Sequence, residues 1–202
     1  DLDAKKIQAA IVEGMKWLRQ QQDPATGKFK SAYNSLYPMG PTAMAVLTLL
    51  KCGAGPNDPA VVKGLAYLKK QPLGPQARMY GVALCVLATE ARFAPPPKVL
   101  AKDPDKPYDT VARRIFQKHP GAKADRAWMR KLVDWIVSKQ QTNVWRYPGA
   151  ATDGKVEDLS NAQYALFALK GASRLGVKVS PEVFRKALPY FIREQERDGP
   201  AV

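Results

Sequence analysis

The chain has 202 residues, 46% hydrophobic and 25% charged, a balance that excludes a disordered or low-complexity segment and allows a sizeable buried core. Lys and Arg number 32 against 18 Asp and Glu, a formal charge of +14, and the excess peaks over residues 96–146 (12 basic, 5 acidic) instead of gathering in a tail. A surface of that sign favours anionic partners, while no apolar run approaches the roughly 18 residues of a membrane span.

In chain order, Asp3 is placed as the N-cap of a first helix over about 4–22. Ile7, Ile11, Met15 and Leu18 recur at spacings of three and four on one face, with Lys5, Lys6, Glu13, Lys16 and Arg19 opposite. Asp23-Pro24 ends it, because Pro cannot continue a helix and disfavours helical backbone just before it. A loop with Phe29, Tyr33 and Tyr37 leads to Gly40-Pro41, a helix start, and to a second helix over 42–51 that has no polar face and is therefore expected inside. Asp58-Pro59 opens a third, amphipathic helix to about Gln71, and Gly74-Pro75 separates it from a fourth over 76–92, again nearly all apolar. Cys52 and Cys85 fall in these apolar helices, where Cys usually acts as a small hydrophobe, and two cysteines do not decide a redox compartment.

The alternation lapses over 94–123, a basic insertion with Pro95, Pro96, Pro97, Pro104, Pro107 and Pro120 in which only Tyr108 to Lys118 reads as a helix. A connection of that length is either functional or disordered. The pattern resumes with an amphipathic helix over 125–141 carrying Arg126, Arg130 and Lys131. A loop with Trp145, Tyr147 and Pro148 follows, then an apolar helix over 159–175 capped by Asp158, and a helix opened by Ser180-Pro181-Glu182 that Pro189 should kink. The chain stops where an eighth, inner helix is expected. No leader is present in this numbering, which suits an exported protein whose signal lies upstream as well as any other location. No stretch alternates as a strand does, so the expected fold class is all-α: one domain of helical hairpins, amphipathic outer helices around apolar inner ones. Inner helices apolar on every side suit a closed or nearly closed α/α ring with an apolar central cavity.

One string recurs through the outer helices. The best copy is Gly14, Trp17, Leu18, Gln22, Gly27 and Phe29. The others run through Gly64, Tyr67, Leu68 and Gln71; through Leu132, Trp135, Gln140 and Trp145; and through Ala187, Tyr190 and Gln195 with Gly199. Repetition of one unit fixes an architecture before any site is considered. A Gln after the last turn of an outer helix has the donors and acceptor to satisfy carbonyls left open there or amides at the next helix start. The aromatics Trp17, Tyr67, Trp135 and Tyr190 are expected to pack between neighbouring hairpins.

These positions resemble the QW-type repeats of the squalene–hopene and oxidosqualene cyclases, and are similar to the helical repeats of protein prenyltransferase β subunits. Asp158 to Leu166 (DLSNAQYAL) resembles the start of an inner helix in bacterial members of that superfamily. The resemblance spans nearly the whole chain outside 94–123 and implies an α/α toroid. Its chemistry does not carry over residue by residue. The proton-donating DxDD string of the cyclases has only Asp103-Pro104-Asp105-Lys106 as a counterpart, which reads as a turn. Glu157-Asp158 does not match the magnesium-binding DDxxD string, and His119, the sole histidine, has no cysteine at zinc-ligand spacing. Cys52-Gly53-Ala54-Gly55 departs from the Cys-Gly-Glu-Gln of thioester rings. A glycosidase-like pair of carboxyls would need Glu90 and Glu157 across a groove. Glu90, at the end of an apolar helix, is the one acid retained as a catalytic candidate, with a solvent-facing helix end as the alternative.

The expected function is thus a non-catalytic repeat module that binds a protein partner or an apolar, isoprenoid-like ligand, without cofactor or metal. One alternative is a truncated domain of a class II cyclase or prenyltransferase-like enzyme; the other is a salt-sensitive binder of an anionic surface through residues 98–131. Met44, Leu47, Tyr80, Leu84, Tyr164 and Phe167 are the candidate cavity lining, and an open arc would expose Met44, Leu47, Cys85 and Phe167. A homodimer, or completion of the ring by further helices, is expected to cover them, and no nucleic-acid-binding motif is present.

Overall fold

The computed structural model describes residues 3–33, 35–102, 105–147 and 158–195; Asp103, Pro104, Pro148, Glu157 and Gly199 lie outside them. Among the described residues the chain is all-α: α1 (Ala4–Gln20), α2 (Gly40–Lys51), α3 (Pro59–Lys69), α4 (Met79–Arg92), α5 (Pro97–Leu100), α6 (Tyr108–Lys118), α7 (Ala122–Ser138), α8 (Leu159–Arg174) and α9 (Pro181–Glu194). Local chemistry sets most starts. Asp3, Asp58, Asp158 and Ser180 each accept a bond from a backbone amide of the first turn, and Pro41, Pro59 and Pro181 occupy first-turn positions where no amide is needed.

The apolar helices α2, α4 and α8 form an inner row in which α4 packs extensively on both neighbours. α3 lies against α2, and α7 against α4 and α8, on the outside. Of α4, Val82, Ala83, Cys85, Val86 and Ala88 have no exposed surface. Cys85 is therefore wholly buried, against the expectation that an open arc would expose it, and burial pushes its thiol pKa far up. The helix bearing Pro189 is continuous over 181–194.

The repeat string has a visible mechanical meaning. After α1 the chain turns back on itself, with Asp23 N–H bonded to the Lys28 carbonyl at 2.8 Å and Lys30 N–H to that of Gln21 at 2.9 Å. Gly27 sits there at φ +79°, and a Cβ on it would strike the Lys63 carbonyl of α3. The Gln22 amide donates to the Gly27 carbonyl and to the Ala60 carbonyl of α3, both at 2.9 Å. Phe29 inserts beside Gly64, and its amide donates to buried Thr42 Oγ1 at 3.1 Å. The turn of one hairpin is thereby clamped onto the outer helix of the next.

The third copy repeats this on α9. Gln140 donates to Asn143 O at 3.1 Å and Val183 O at 2.9 Å, and buried Trp145 donates to Ile136 O at 2.7 Å. The second copy does not: Gln71, just past the end of α3, donates back to Tyr67 O of that helix at 3.2 Å. Here an ion cluster substitutes. Asp125 of α7, buried, is paired with Lys69 of α3 and with Arg92 of α4 at 3.7 Å. Gln195 is exposed at the C-cap of α9.

Trp17 corrects the expectation of an aromatic wedged between hairpins: it is 61% exposed, because among the described residues no turn of another hairpin packs on α1. Tyr190 is buried, and Tyr67 and Trp135 are half-buried against the core. The Pro-rich insertion is folded over its described part. Val111, Ala112 and Phe116 of α6 are buried, Phe93 and Phe116 meet edge-to-face with centroids 4.8 Å apart, and α6 lies against α7 and α8.

Candidate functional site

A groove of about 520 Å³ opens at the N-terminal ends of the inner row. α2 supplies Gly40, Pro41 and Met44; α4 supplies Met79, Tyr80, Gly81 and Leu84; α8 supplies Asn161. The preceding loops add Tyr33, Tyr37, Pro38, Met39, Gln76, Arg78 and Tyr147. Gly81 permits the close approach that shapes it: a Cβ there would lie 3.4 Å from the Gly40 amide nitrogen. The loop wall is anchored where the half-buried Tyr67 hydroxyl donates to the Pro38 carbonyl at 3.2 Å.

The walls are apolar and aromatic, with one polar edge. Tyr80 stacks edge-on against Tyr164, centroids 4.8 Å apart, and its hydroxyl lies 3.1 Å from that of Tyr147 and 2.6 Å from Ser160 Oγ. Ser160 in turn donates to Asp158 Oδ1 at 2.6 Å, and the Asn161 side-chain amide donates to Asp158 Oδ2 at 2.9 Å. Partial burial raises the Asp158 pKa, but the bonds from Ser160 and Asn161 more than offset it and hold the carboxyl below its ordinary value. The Tyr147 phenol is raised, first by its bond to Tyr80 and then by burial. The result is a chain of hydroxyls on one rim, anchored by a carboxylate that accepts three bonds from Ser160 and Asn161. No carboxyl lines the groove among the described residues.

Of the six residues expected to line a cavity, Met44, Tyr80 and Leu84 do so. Tyr164 stands behind Tyr80, Leu47 packs half-buried against the core, and Phe167 is exposed on the free face of α8, outside the groove. Sequence reasoning missed Tyr33, Tyr37, Met39, Arg78, Met79, Tyr147 and Asn161. The aromatic density of the two loops was the available signal, but nothing local shows that loops more than a hundred residues apart meet.

Glu90 lies at the other end of α4, ten residues from Tyr80 or about 15 Å along the helix. It is 5% exposed, not solvent-facing, with the Arg174 guanidinium 3.5 Å from its carboxylate. Burial, then the charge of Glu90, raises the Tyr108 phenol beside it. α6 thus lies over the C-terminal end of the inner row, where Glu90 is buried and paired with Arg174. His119 is half-buried, its ring against Phe93 and its Nδ1 accepting from Gly121 N–H at 3.1 Å; burial, then the Arg92 charge, lowers its pKa.

Among the described residues no cluster of three or more His, Cys, Asp or Glu gathers to hold a metal ion, Cys52 and Cys85 are unpaired, and no helix is long and apolar enough to cross a membrane. No family model matches the chain, and neither does any curated protein or solved structure.

Proposed function

We propose that this chain is a squalene-cyclase- and prenyltransferase-like repeat protein, an arc of an α/α toroid, that holds an apolar, isoprenoid-like ligand in the tyrosine- and methionine-lined groove and performs no chemistry on it. The observation that carries this reading is the lining itself: Met44, Met79 and Leu84 on the inner helices with Met39 just before them, four Tyr rings around them, and no acid positioned to generate a cation. Met adapts to irregular apolar shapes, and tyrosine offers an apolar face with a polar tip, so a long chain ending in a hydroxyl fits the groove and its hydroxyl rim.

Native mass spectrometry of the protein, as purified and after incubation with farnesol, tests it. The expected result is a one-to-one adduct that disappears in Met44→Asp, which places a charge on an already half-exposed wall. No adduct with farnesol, squalene or oleic acid overturns the reading.

A second reading rests on α1, which buries no residue and leaves Ile7, Val12 and Trp17 exposed. In it, a second copy covers that face. Light scattering decides it: a monomer at all concentrations removes the homodimer.

A further inference from the structure

The molecule carries a second groove, of about 570 Å³, at the opposite end of α8 from the tyrosines. One wall is the start of α7, with Lys123, Arg126 and Arg130; the other is Gly176, Val177 and Lys178, which follow α8. Arg113 of α6 adjoins Gly176, its side chain lying about 3.1 Å from where a Gly176 Cβ would stand. We propose that this groove binds a soluble ligand carrying two or more phosphate groups; the choice of a soluble ligand over a lipid headgroup rests on the reading of the tyrosine groove as a site for an apolar ligand.

The argument is one of uncompensated charge. Lys123, Arg126 and Arg130 are three and four residues apart, so they share one face of α7 and span about 10 Å. Among the described residues Lys123, Arg126 and Lys178 have no carboxylate at ion-pair distance. Arg130 has only Asp134, 3.8 Å away and largely exposed. The remaining acid of this turn, Asp125, is buried on the other side of the helix and already neutralised by Lys69 and Arg92. Four cations lining one groove, with Arg113 beside it, repel one another unless an anion joins them.

The groups are also held in place. Arg130 donates to the Lys178 carbonyl at 2.5 Å, which ties the two walls, and the Arg126 guanidinium rests 5.6 Å over the Phe116 ring. Paired guanidinium groups suit phosphate oxygens better than isolated ammonium groups do. Location decides between a free ligand and a lipid headgroup. α8 has 16 residues, so the two grooves stand about 24 Å apart along it. A bilayer gripped by the basic groove would leave the tyrosine groove pointing away from the lipid, where an apolar ligand could not be exchanged. The free phosphate ester is the better fit.

Calorimetric titration with sodium tripolyphosphate, at roughly 50 and 200 mM salt, tests the proposal on the wild type and three variants. The expected outcome is salt-sensitive binding that weakens by about tenfold or more in Lys123→Ala/Arg126→Gln. It weakens in the same direction in Lys178→Ala, which leaves α7 untouched, and is unchanged in Lys5→Ala/Lys6→Ala, which removes the same charge from α1. Equal weakening in the α1 control assigns the effect to diffuse charge and overturns the site. No binding of tripolyphosphate overturns it as well, and so does sedimentation with phosphatidylglycerol vesicles in the absence of tripolyphosphate binding, which assigns the cations to a membrane surface.

Discussion

α1 and α3 carry the same string, glycine then two residues then aromatic-leucine, at Gly14–Leu18 and Gly64–Leu68, and the structure treats the two differently. Around Gly64 there is no room: an added Cβ would lie 2.5 Å from Val46 Cγ2 and 3.5 Å from the Phe29 ring. Around Gly14 nothing lies within 4 Å. α3 buries Ala60, Val61, Gly64, Leu65 and Leu68, and α1 buries nothing. The cause is position in the row. α3 receives the Gly27–Phe29 turn of the hairpin before it, and among the described residues no such turn reaches Gly14 of α1. A repeat motif is thus half of an interface, and its energetic value appears only where the other half is present.

The largest expected contrast is between the aromatics. Phe29→Ala removes a fully buried ring and should cost about 3–5 kcal/mol in urea unfolding, whereas Trp17→Ala should stay within about 0.5 kcal/mol. Equal losses would mean that α1 is covered in solution, and would break the comparison in favour of a second copy.

The glycines come next, and here the signs should differ. Gly64→Ala forces Val46 aside and should destabilise by about 1–3 kcal/mol. Gly14→Ala meets open space and should stabilise α1 by about 0.5–1 kcal/mol through helix propensity. A stabilising Gly64→Ala would show that the hairpins do not clamp as described.

The glutamines sharpen the point. Gln22→Leu removes the Gln22 amide from the Gly27 and Ala60 carbonyls and should cost about 1–3 kcal/mol; Gln71→Leu loses one bond back to the end of α3 and should cost less than about 0.5 kcal/mol.

The smallest effect is in the acid limb. Partial burial raises the pKa of Asp58, the N-cap of α3, but the bonds from Arg19, 2.8 Å away, and the Ala60 amide outweigh it and leave it lowered. A carboxyl whose folded pKa lies below its unfolded value of about 4 contributes stability that is full above that pH and fades as pH falls through the folded value. Asp58→Asn should therefore lower stability near neutrality and flatten its decline in acid, read by thermal melts from pH 6 downward at roughly one-unit steps. An unchanged acid slope would remove this cap–arginine tie from the α1–α3 contact.

Most of the helices were legible locally. The periodicity of α1 and α7, the apolar runs of α2, α4 and α8, and the Asp-Pro and Ser-Pro starts of α3 and α9 are properties of neighbouring residues, and the recurring Gln marked where hairpins turn. The site was not. Tyr33 and Tyr147 read as loop aromatics, and Glu90 drew attention as an acid on an apolar helix although its burial serves an ion pair with Arg174 on α8, 84 residues on. Asp125 was passed over in a basic stretch, because only the fold shows that it faces Lys69 and Arg92 and takes the place of a missing glutamine clamp.

By itself, then, the sequence determined helix type, helix order and which helices lie inside, because hydrophobic period, capping and proline act within a few residues. The tertiary structure alone decided which copies of the motif engage, that the Pro-rich insertion floors the inner row, and where the aromatic and basic grooves form. Those features depend on side chains brought together from distant parts of the chain, and the free energy of burial or ion pairing is set by what stands opposite a residue, which no local pattern specifies.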